Sequence, residues 1–195
     1  AIRKQVNLYF KKGNKSLTMP LLIYLPAGNK KSPVFLAYNF KGNHSINPDP
    51  AILINGKKEI ELSPEEHKKF NKSGRGGRTS RWALERIIHA GYGLVTIDYN
   101  NVDPDKNDFS DGVHKLFYKE GQNTPAKNEW GSLSAWAWGL SRIMDFLETE
   151  GLIDHKKVIL FGHSRLGKTA LWAGANDRRF GIVISNNSGC GGAAI

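Results

Sequence analysis

The sequence predicts an α/β protein, in which a mostly parallel β-sheet is covered by helices and begins with an antiparallel hairpin. Three observations indicate this class. Short apolar, β-branched runs alternate with segments of helical periodicity, as expected for parallel strands joined by crossover helices. Two of the N-terminal runs are joined by the polar stretch KKGNKS, which is typical of a hairpin turn. A later apolar run leads directly into a helix through the octapeptide GHSRLGKT at 162–169.

The first half of the chain supplies the hairpin, a buried strand and a short helix. The hairpin strands are predicted over 5–10 and 17–25, and VFLAYN at 34–39 is predicted to be a buried strand. A loop rich in turn-forming residues follows. Ser63 and Glu66 form a capping-box pattern with Pro64 at the first helical position, so a helix is predicted to start there.

The second half alternates helices and strands around one long irregular segment. That segment runs from Tyr99 to about Trp130, and loops of this length in compact domains are usually functional or mobile. The clearest helix covers 132–150, where apolar residues recur at i, i+3, i+4 and i+7. The other predicted elements are a helix over 79–90, a strand over 93–98, a strand over 158–161, a helix from the octapeptide to about 175, and a strand over 180–185.

Composition narrows the function classes only moderately. A chain of 195 residues is expected to form one domain, and it contains no apolar run of the ~18 residues that a membrane-spanning helix needs. One cysteine, Cys190, excludes an internal disulfide, and we expect it to be a small packed residue. The net charge of +10 fits either a solvated surface or an anionic polymer as partner. No nucleic-acid-binding motif surrounds the lysine pairs, so we expect neither nucleic acid nor membrane as a partner.

The octapeptide GHSRLGKT fits two unrelated chemistries. It matches the G-x-x-x-x-G-K-[ST] pattern of a phosphate-binding loop, although three of its four variable positions are bulky. It also places Ser164 between a strand and a helix, like the nucleophile elbow of an α/β-hydrolase, with the second glycine one residue later than usual. A third interpretation makes Ser164 a simple helix cap. The octapeptide alone does not decide between them.

The flanking residues resemble the glucuronoyl esterase family of carbohydrate esterases, particularly its bacterial members. The resemblance is carried by GHSRLGKTALWAGANDRRF at 162–180, ISNNSGCGGAA at 184–194, WGSLSAWAWGLSRIMDFLE at 130–148, GYGLVTIDYNNVDPD at 91–105 and NFKGNH at 39–44. The nucleophile motif of the family, G-x-S-R-x-G-K, is matched in register, which also accounts for the displaced glycine.

This resemblance implies an α/β-hydrolase that cleaves the ester between a glucuronic acid branch of xylan and a lignin alcohol. It implies that Ser164 is the nucleophile, that Arg165 stabilises the oxyanion and that Lys168 binds hydroxyls of the glucuronoyl ring. His44, in a loop after a strand, is a further candidate for substrate binding. No cofactor or metal is expected, and the resemblance implies a secreted or periplasmic location. Three rivals stay open: an esterase of acetyl type, a nucleotide-binding protein that uses the octapeptide as its phosphate loop, and a non-catalytic carbohydrate-binding relative.

Two departures from the family pattern lead to a further expectation. Asn187 stands where the family often has its catalytic glutamate, and the 31 residues after Ser164 contain no histidine. In this fold the histidine follows the nucleophile in the chain. We therefore expect residues 1–195 to be the N-terminal part of a hydrolase domain, inactive alone, with the general base in a missing C-terminal half or a second chain. Asp103, Asp105, Asn107 and Asp108 do not match a calcium loop and are expected to be solvated.

Overall fold

The computed structural model describes residues 1–28 and 30–189, and within them six strands form one mixed sheet. The strand order is β1-β2-β4-β3-β5-β6. Strands β3, β4, β5 and β6 are mutually parallel, whereas β2 runs antiparallel to β1 and to β4. The predicted fold class is therefore confirmed, including the N-terminal hairpin. The strands are β1 Ile2–Lys12, β2 Lys15–Leu25, β3 Ser32–Asn39, β4 Gly93–Asp98, β5 Ile153–His163 and β6 Ile182–Asn186.

Helices cover both faces of this sheet. On one face α4 and α5 bury Leu140, Ile143 and Leu166 against strand residues such as Leu36 and Leu160. On the other face Leu84 of α2 joins a second cluster that contains Leu22 and Leu94. The helices are α1 Pro64–Ser73, α2 Leu84–His89, α3 His114–Phe117, α4 Ser132–Leu147 and α5 Arg165–Asn176. Across the described ranges, no helix has the length and apolarity required to cross a bilayer.

The helix predicted over 79–90 is only half right. A 3₁₀ turn at Thr79–Arg81 is followed by an extended Trp82, and the α-helix starts at Leu84. The backbone of Trp82 has φ −117° and ψ 94°, and its ring packs on the cluster around Leu22 and Leu94. Packing of this ring therefore overrides the helical periodicity of the segment.

The segment predicted to be irregular contains two short helical pieces. A 3₁₀ turn covers Tyr99–Asn101 directly after β4. The four-residue helix α3, His114–Phe117, lies later in the same segment. Strand β5 also begins five residues earlier than predicted, because Ile153 pairs with Ser32 at the start of β3. As a result of the 3₁₀ turn and α3, part of the long segment lies against the end of the sheet at which β5 leads into α5.

Candidate active site

Ser164 forms the tip of a tight bend between β5 and α5. Its backbone has φ 56° and ψ −132°, in the left-handed half of conformational space where non-glycine residues are rare. The bend is fixed on both sides, since the Ser164 N–H donates to the Asn186 carbonyl at 3.0 Å and the Ser164 carbonyl accepts from the Gly167 N–H at 2.8 Å. The strained residue therefore lies at the carboxyl end of a central parallel strand, where α/β sheets bind ligands.

Glycines allow the helix to approach the strand this closely. A Cβ atom on Gly162 would overlap the carbonyl group of Leu166, in the first turn of α5. A Cβ atom on Gly167 would lie 2.8 Å from Ser188 Oγ and 2.9 Å from Ser185 Oγ. The displaced second glycine of the motif is thus required by contact with β6 and with the segment that follows it.

The geometry of the bend removes two interpretations of the octapeptide. The Ser164 side chain makes no capping hydrogen bond to α5, so Ser164 is not a simple helix cap. Gly162 and His163 belong to β5, and the helix begins at Arg165. A phosphate-binding loop needs several successive non-helical residues whose N–H groups surround the phosphate. Here Ser164 alone separates strand from helix, so the phosphate-loop alternative is wrong.

Ser164 lines a cationic and aromatic cleft of about 470 Å³. Lys41, Arg78 and Arg81 contribute its cations, and no acidic side chain lines it among the described residues. His163 also lines this cleft, and the Asn186 amide nitrogen donates to His163 Nδ1 at 3.0 Å. The remaining lining residues are Tyr38, Phe40, Ser45, Trp82, Phe161 and Asn186.

The side chains of Arg165 and Lys168 line a second cleft, of about 520 Å³. The structure thus places Ser164 in one cleft and these two cations in the neighbouring one. Arg165 forms an ion pair with Asp105, which the Tyr99 hydroxyl also contacts at 2.8 Å. The first turn of α4 completes this cleft with Gly131, Ser132, Leu133, Ser134 and Trp136.

Asp105, Asn107 and Asp108 are exposed, as predicted, whereas Asp103 differs from the prediction. Asp103 is fully buried, and its carboxylate lies 3.6 Å from Nε2 of the equally buried His114. Asp105 reaches Arg165 across 60 residues of sequence. No local sequence pattern predicts this pairing. Asp105 follows β4 and Arg165 follows β5, and these two segments meet only in the folded chain. Asp105 lines the cleft of Arg165 and Lys168, and sequence reasoning did not assign it to the site.

The structure does not bring His44 to the bend. Its side chain is 4% exposed, it lines neither cleft, and its ring packs against Phe70 at a centroid distance of 5.0 Å. Burial, together with the charge of Arg75, lowers the pKa of His44 to about 4. The neighbouring Ser45 is the residue of this loop that lines the cleft of Ser164. A role for His44 in binding substrate is not supported by this placement.

The segment after β6 begins with a second left-handed residue. Asn187 has φ 55° and is exposed, whereas the next residue, Ser188, is buried and its hydroxyl contacts that of Ser185 on β6. Its neighbour Asn186 is the residue that lines the cleft of Ser164. Cys190, expected to be packed, lies outside the described residues.

Comparisons with known proteins agree with this geometry. A family model described as glucuronyl esterase of fungi matches residues 76–195. A carbohydrate esterase from an unknown prokaryotic organism is 49% identical over 203 residues, which cover 100% of this chain and 46% of that protein. A 4-O-methyl-glucuronoyl methylesterase from Phanerochaete carnosa is 36% identical over 107 residues, which cover 54% of this chain and 25% of that protein.

Solved structures extend the likeness to nearly the whole chain. A glucuronoyl esterase from Solibacter usitatus superposes with a TM-score of 0.84 at 43% identity, covering 99% of this chain and 49% of that one. A promiscuous CE15 esterase from a marine bacterial metagenome gives 0.79 at 48% identity, covering 98% and 49%. The chain therefore spans about half the length of these relatives. Its sheet order, its strained serine and the family model together show that it belongs to the glucuronyl esterase family, with an α/β-hydrolase fold.

Proposed function

We propose that this chain carries the nucleophile of a serine esterase that hydrolyses glucuronoyl esters between glucuronoxylan and lignin alcohols. The observation that carries the proposal is Ser164, which stands at a strained bend, lines a cleft and does not cap its helix. Membership of the glucuronyl esterase family supports the glucuronoyl substrate. A plant cell-wall substrate in turn supports a location outside the cytoplasm.

The proposed reaction proceeds through an acyl-enzyme. Ser164 Oγ loses its proton to a general base and attacks the ester carbonyl, which forms a C–O bond and a tetrahedral oxyanion. Collapse of this intermediate breaks the bond to the alcohol, which leaves with a proton. Water then attacks the acyl-enzyme in the same manner and releases the glucuronate and Ser164. The residues of this chain supply the nucleophile and the stabilising charges.

The oxyanion is stabilised at the N-terminus of α5. The Arg165 N–H is one of the first amides of that helix, which lack carbonyl partners within it and point toward an approaching anion. Losing one donor of an oxyanion hole typically costs about 10²–10³ in rate. The guanidinium of Arg165 lines the neighbouring cleft beside Asp105, and its positive charge is proposed to stabilise the oxyanion further. Lys168, one turn later, is proposed to bind ring hydroxyls of the glucuronoyl group.

The cleft of Ser164 suits a polymer that carries further carboxylates. Lys41, Arg78 and Arg81 give its lining a positive charge, which raises the local concentration of anionic chains. Glucuronoxylan is such a chain. An esterase for acetyl groups on a neutral polysaccharide would gain nothing from these cations, so the charge favours the glucuronoyl substrate over the acetyl alternative.

The test uses the full-length protein and two substrates, a methyl glucuronate ester and acetylated xylan. We expect turnover of the glucuronate ester, labelling of Ser164 by a fluorophosphonate, and loss of roughly 10⁴-fold in kcat in Ser164→Ala. Ser110→Ala, in an exposed loop, is the matched control and should keep full activity. Faster turnover of acetylated xylan would favour the acetyl alternative, and an unlabelled Ser164 would favour a non-catalytic binding protein.

A further inference from the structure

We infer that Asp105 is a positioning residue for Arg165, and that Tyr99 holds Asp105 in place for this task. The inference rests on the proposed function, because it assigns the ion pair to the orientation of a guanidinium that stabilises the oxyanion. It concerns residues that lie 60 positions apart and meet only in the folded chain.

Asp105 contacts both Arg165 and Tyr99 through the same carboxylate oxygen. Oδ2 of Asp105 accepts from Nη1 of Arg165 and from the Tyr99 hydroxyl, the latter at 2.8 Å. Asp105 is also the one acidic side chain, among the described residues, that lines the cleft of Arg165 and Lys168. A carboxylate with two donors on the same oxygen has little freedom to rotate, so it presents a fixed partner to the guanidinium.

Tyr99 is itself rigid. Its residue is buried, and its ring makes edge contacts with Trp136 at 5.1 Å and with Phe40 at 5.3 Å. Burial raises the pKa of Tyr99, and the hydrogen bond to Asp105 raises it further, so the hydroxyl keeps its proton and remains a donor. Phe40 lines the cleft of Ser164 and Trp136 lines that of Arg165, so the ring of Tyr99 lies between the two clefts.

The backbone of Asp105 is anchored to the end of β4. The Asp105 N–H donates to Asn100 Oδ1 at 3.1 Å, and Asn100 donates through its backbone and its amide to Asp98 Oδ1 at 3.0 and 2.9 Å. Asp98 is the last residue of β4. Main-chain and side-chain bonds therefore connect the sheet to the carboxylate that holds Arg165.

Stability does not explain this arrangement. The Arg165 side chain is 51% exposed, and ion pairs at such sites contribute little to folding because solvent screens them and both side chains lose freedom. The ion pair can instead serve to orient the guanidinium of Arg165, because a charge stabilises a transition state only if it is already in place when the oxyanion forms. An unpaired arginine at half exposure would sample many rotamers.

The experiment measures kinetics in the full-length protein on a methyl glucuronate ester. We expect Asp105→Asn to lower kcat about tenfold with KM changed less than about twofold, and Tyr99→Phe to lower kcat about threefold. In an Arg165→Ala background, Asp105→Asn should have no further effect, since both act through one group. Asp108→Asn, which removes an equally exposed ion pair in the same segment, is the matched control and should be silent.

Two further measurements separate positioning from a structural role. Free guanidinium should restore part of the activity of Arg165→Ala when Asp105 is present and none when it is Asp105→Asn. The Arg165 Nε–H resonance should be distinct in the wild type and merge with the solvent-exposed arginines in Asp105→Asn, whether or not the ester is a substrate. Additive effects of the two substitutions, or a higher kcat in Asp105→Asn, would overturn the inference. Absence of any turnover with an intact Arg165 resonance would instead overturn the proposed function.

Discussion

At the scale of single residues, burial decides what a polar side chain does here. The loop NFKGNH carries His44 close to the sheet end in sequence, yet its ring is enclosed by Phe70 and by the backbone at Gly42. A Cβ atom on Gly42 would lie 2.6 Å from the ring of His44, which shows how closely the chain wraps it. His44 therefore contributes to folding as a neutral, packed residue.

This placement predicts a pH dependence of stability. The unfolded chain binds a proton on His44 near the ordinary pKa of 6.5, whereas the folded chain does so only near 4. The stabilising effect of the neutral ring is complete above pH 6.5 and is lost as pH falls toward 4. Between pH 7 and 4.5 the wild type should lose about 2 kcal/mol more than His44→Gln. Urea unfolding at both pH values measures this, with His89→Gln, an exposed histidine, as control.

Sequence reasoning located some site residues and missed others for a physical reason. Ser164 and Arg165 lie in a local motif, in which consecutive residues predict the strand, the bend and the helix. Asp105 and Tyr99 reach the same region from the connection after β4, and no pattern within that segment encodes the meeting. The environment of His44 was equally hidden, because its burial depends on Phe70 of α1, 26 positions away.

At the scale of elements, the junction of β5 and α5 is the most closely packed feature of the site. Gly162 meets the first turn of α5, Gly167 meets Ser185 and Ser188, and a Cβ atom on Gly174 would lie 2.5 Å from Val183 on β6. Three glycines at these contacts let the helix rest directly on two strands. The orientation of Ser164 is set by this packing.

The packing predicts that Gly162→Ala is far more harmful than an ordinary glycine substitution. Its methyl group would overlap a backbone carbonyl, which cannot move without breaking the first turn of α5. We expect a loss of about 2 kcal/mol or more in the free energy of unfolding. Gly151→Ala is the matched control, because nothing lies within 4 Å of its Cβ position and its effect should stay within about 1 kcal/mol. Equal melting temperatures for the two variants would contradict the prediction.

Element boundaries were predictable wherever one local signal dominated. The capping box at Ser63 and Glu66 is present, with the Ser63 hydroxyl accepting from the Glu66 N–H, and α1 starts at Pro64 as predicted. The segment 79–90 failed because a distant apolar cluster attracts the ring of Trp82. Strand β5 extends back to Ile153 because Ile153 pairs with Ser32 of β3. The sequence of residues 153–157 alone does not predict this pairing.

At the scale of the whole molecule, the two edges of the sheet differ. Strand β1 is long and polar on its outer side, whereas β6 has only five residues and leaves Ile182 55% and Ile184 38% exposed. Trp172 on α5 is 52% exposed. An apolar edge strand with free backbone groups is a template for pairing with another chain.

A polypeptide of these 195 residues should therefore self-associate through β6. Light scattering at rising concentration should show oligomers, and Ile182→Lys should reduce them because a charge on an edge strand opposes pairing. Ile60→Lys removes an isoleucine that is 90% exposed and lies outside β6, so it controls for a general gain in solubility. Equal suppression by both variants would show that the association does not involve β6.

The hydrogen bond from the Ser164 amide to the Asn186 carbonyl ties the bend to the last residue of β6. A strand that pairs with β6 would therefore also restrain the backbone of Ser164, which carries the proposed nucleophilic hydroxyl. Pairing of another strand with β6 and the conformation of the proposed nucleophile are therefore coupled through this one bond.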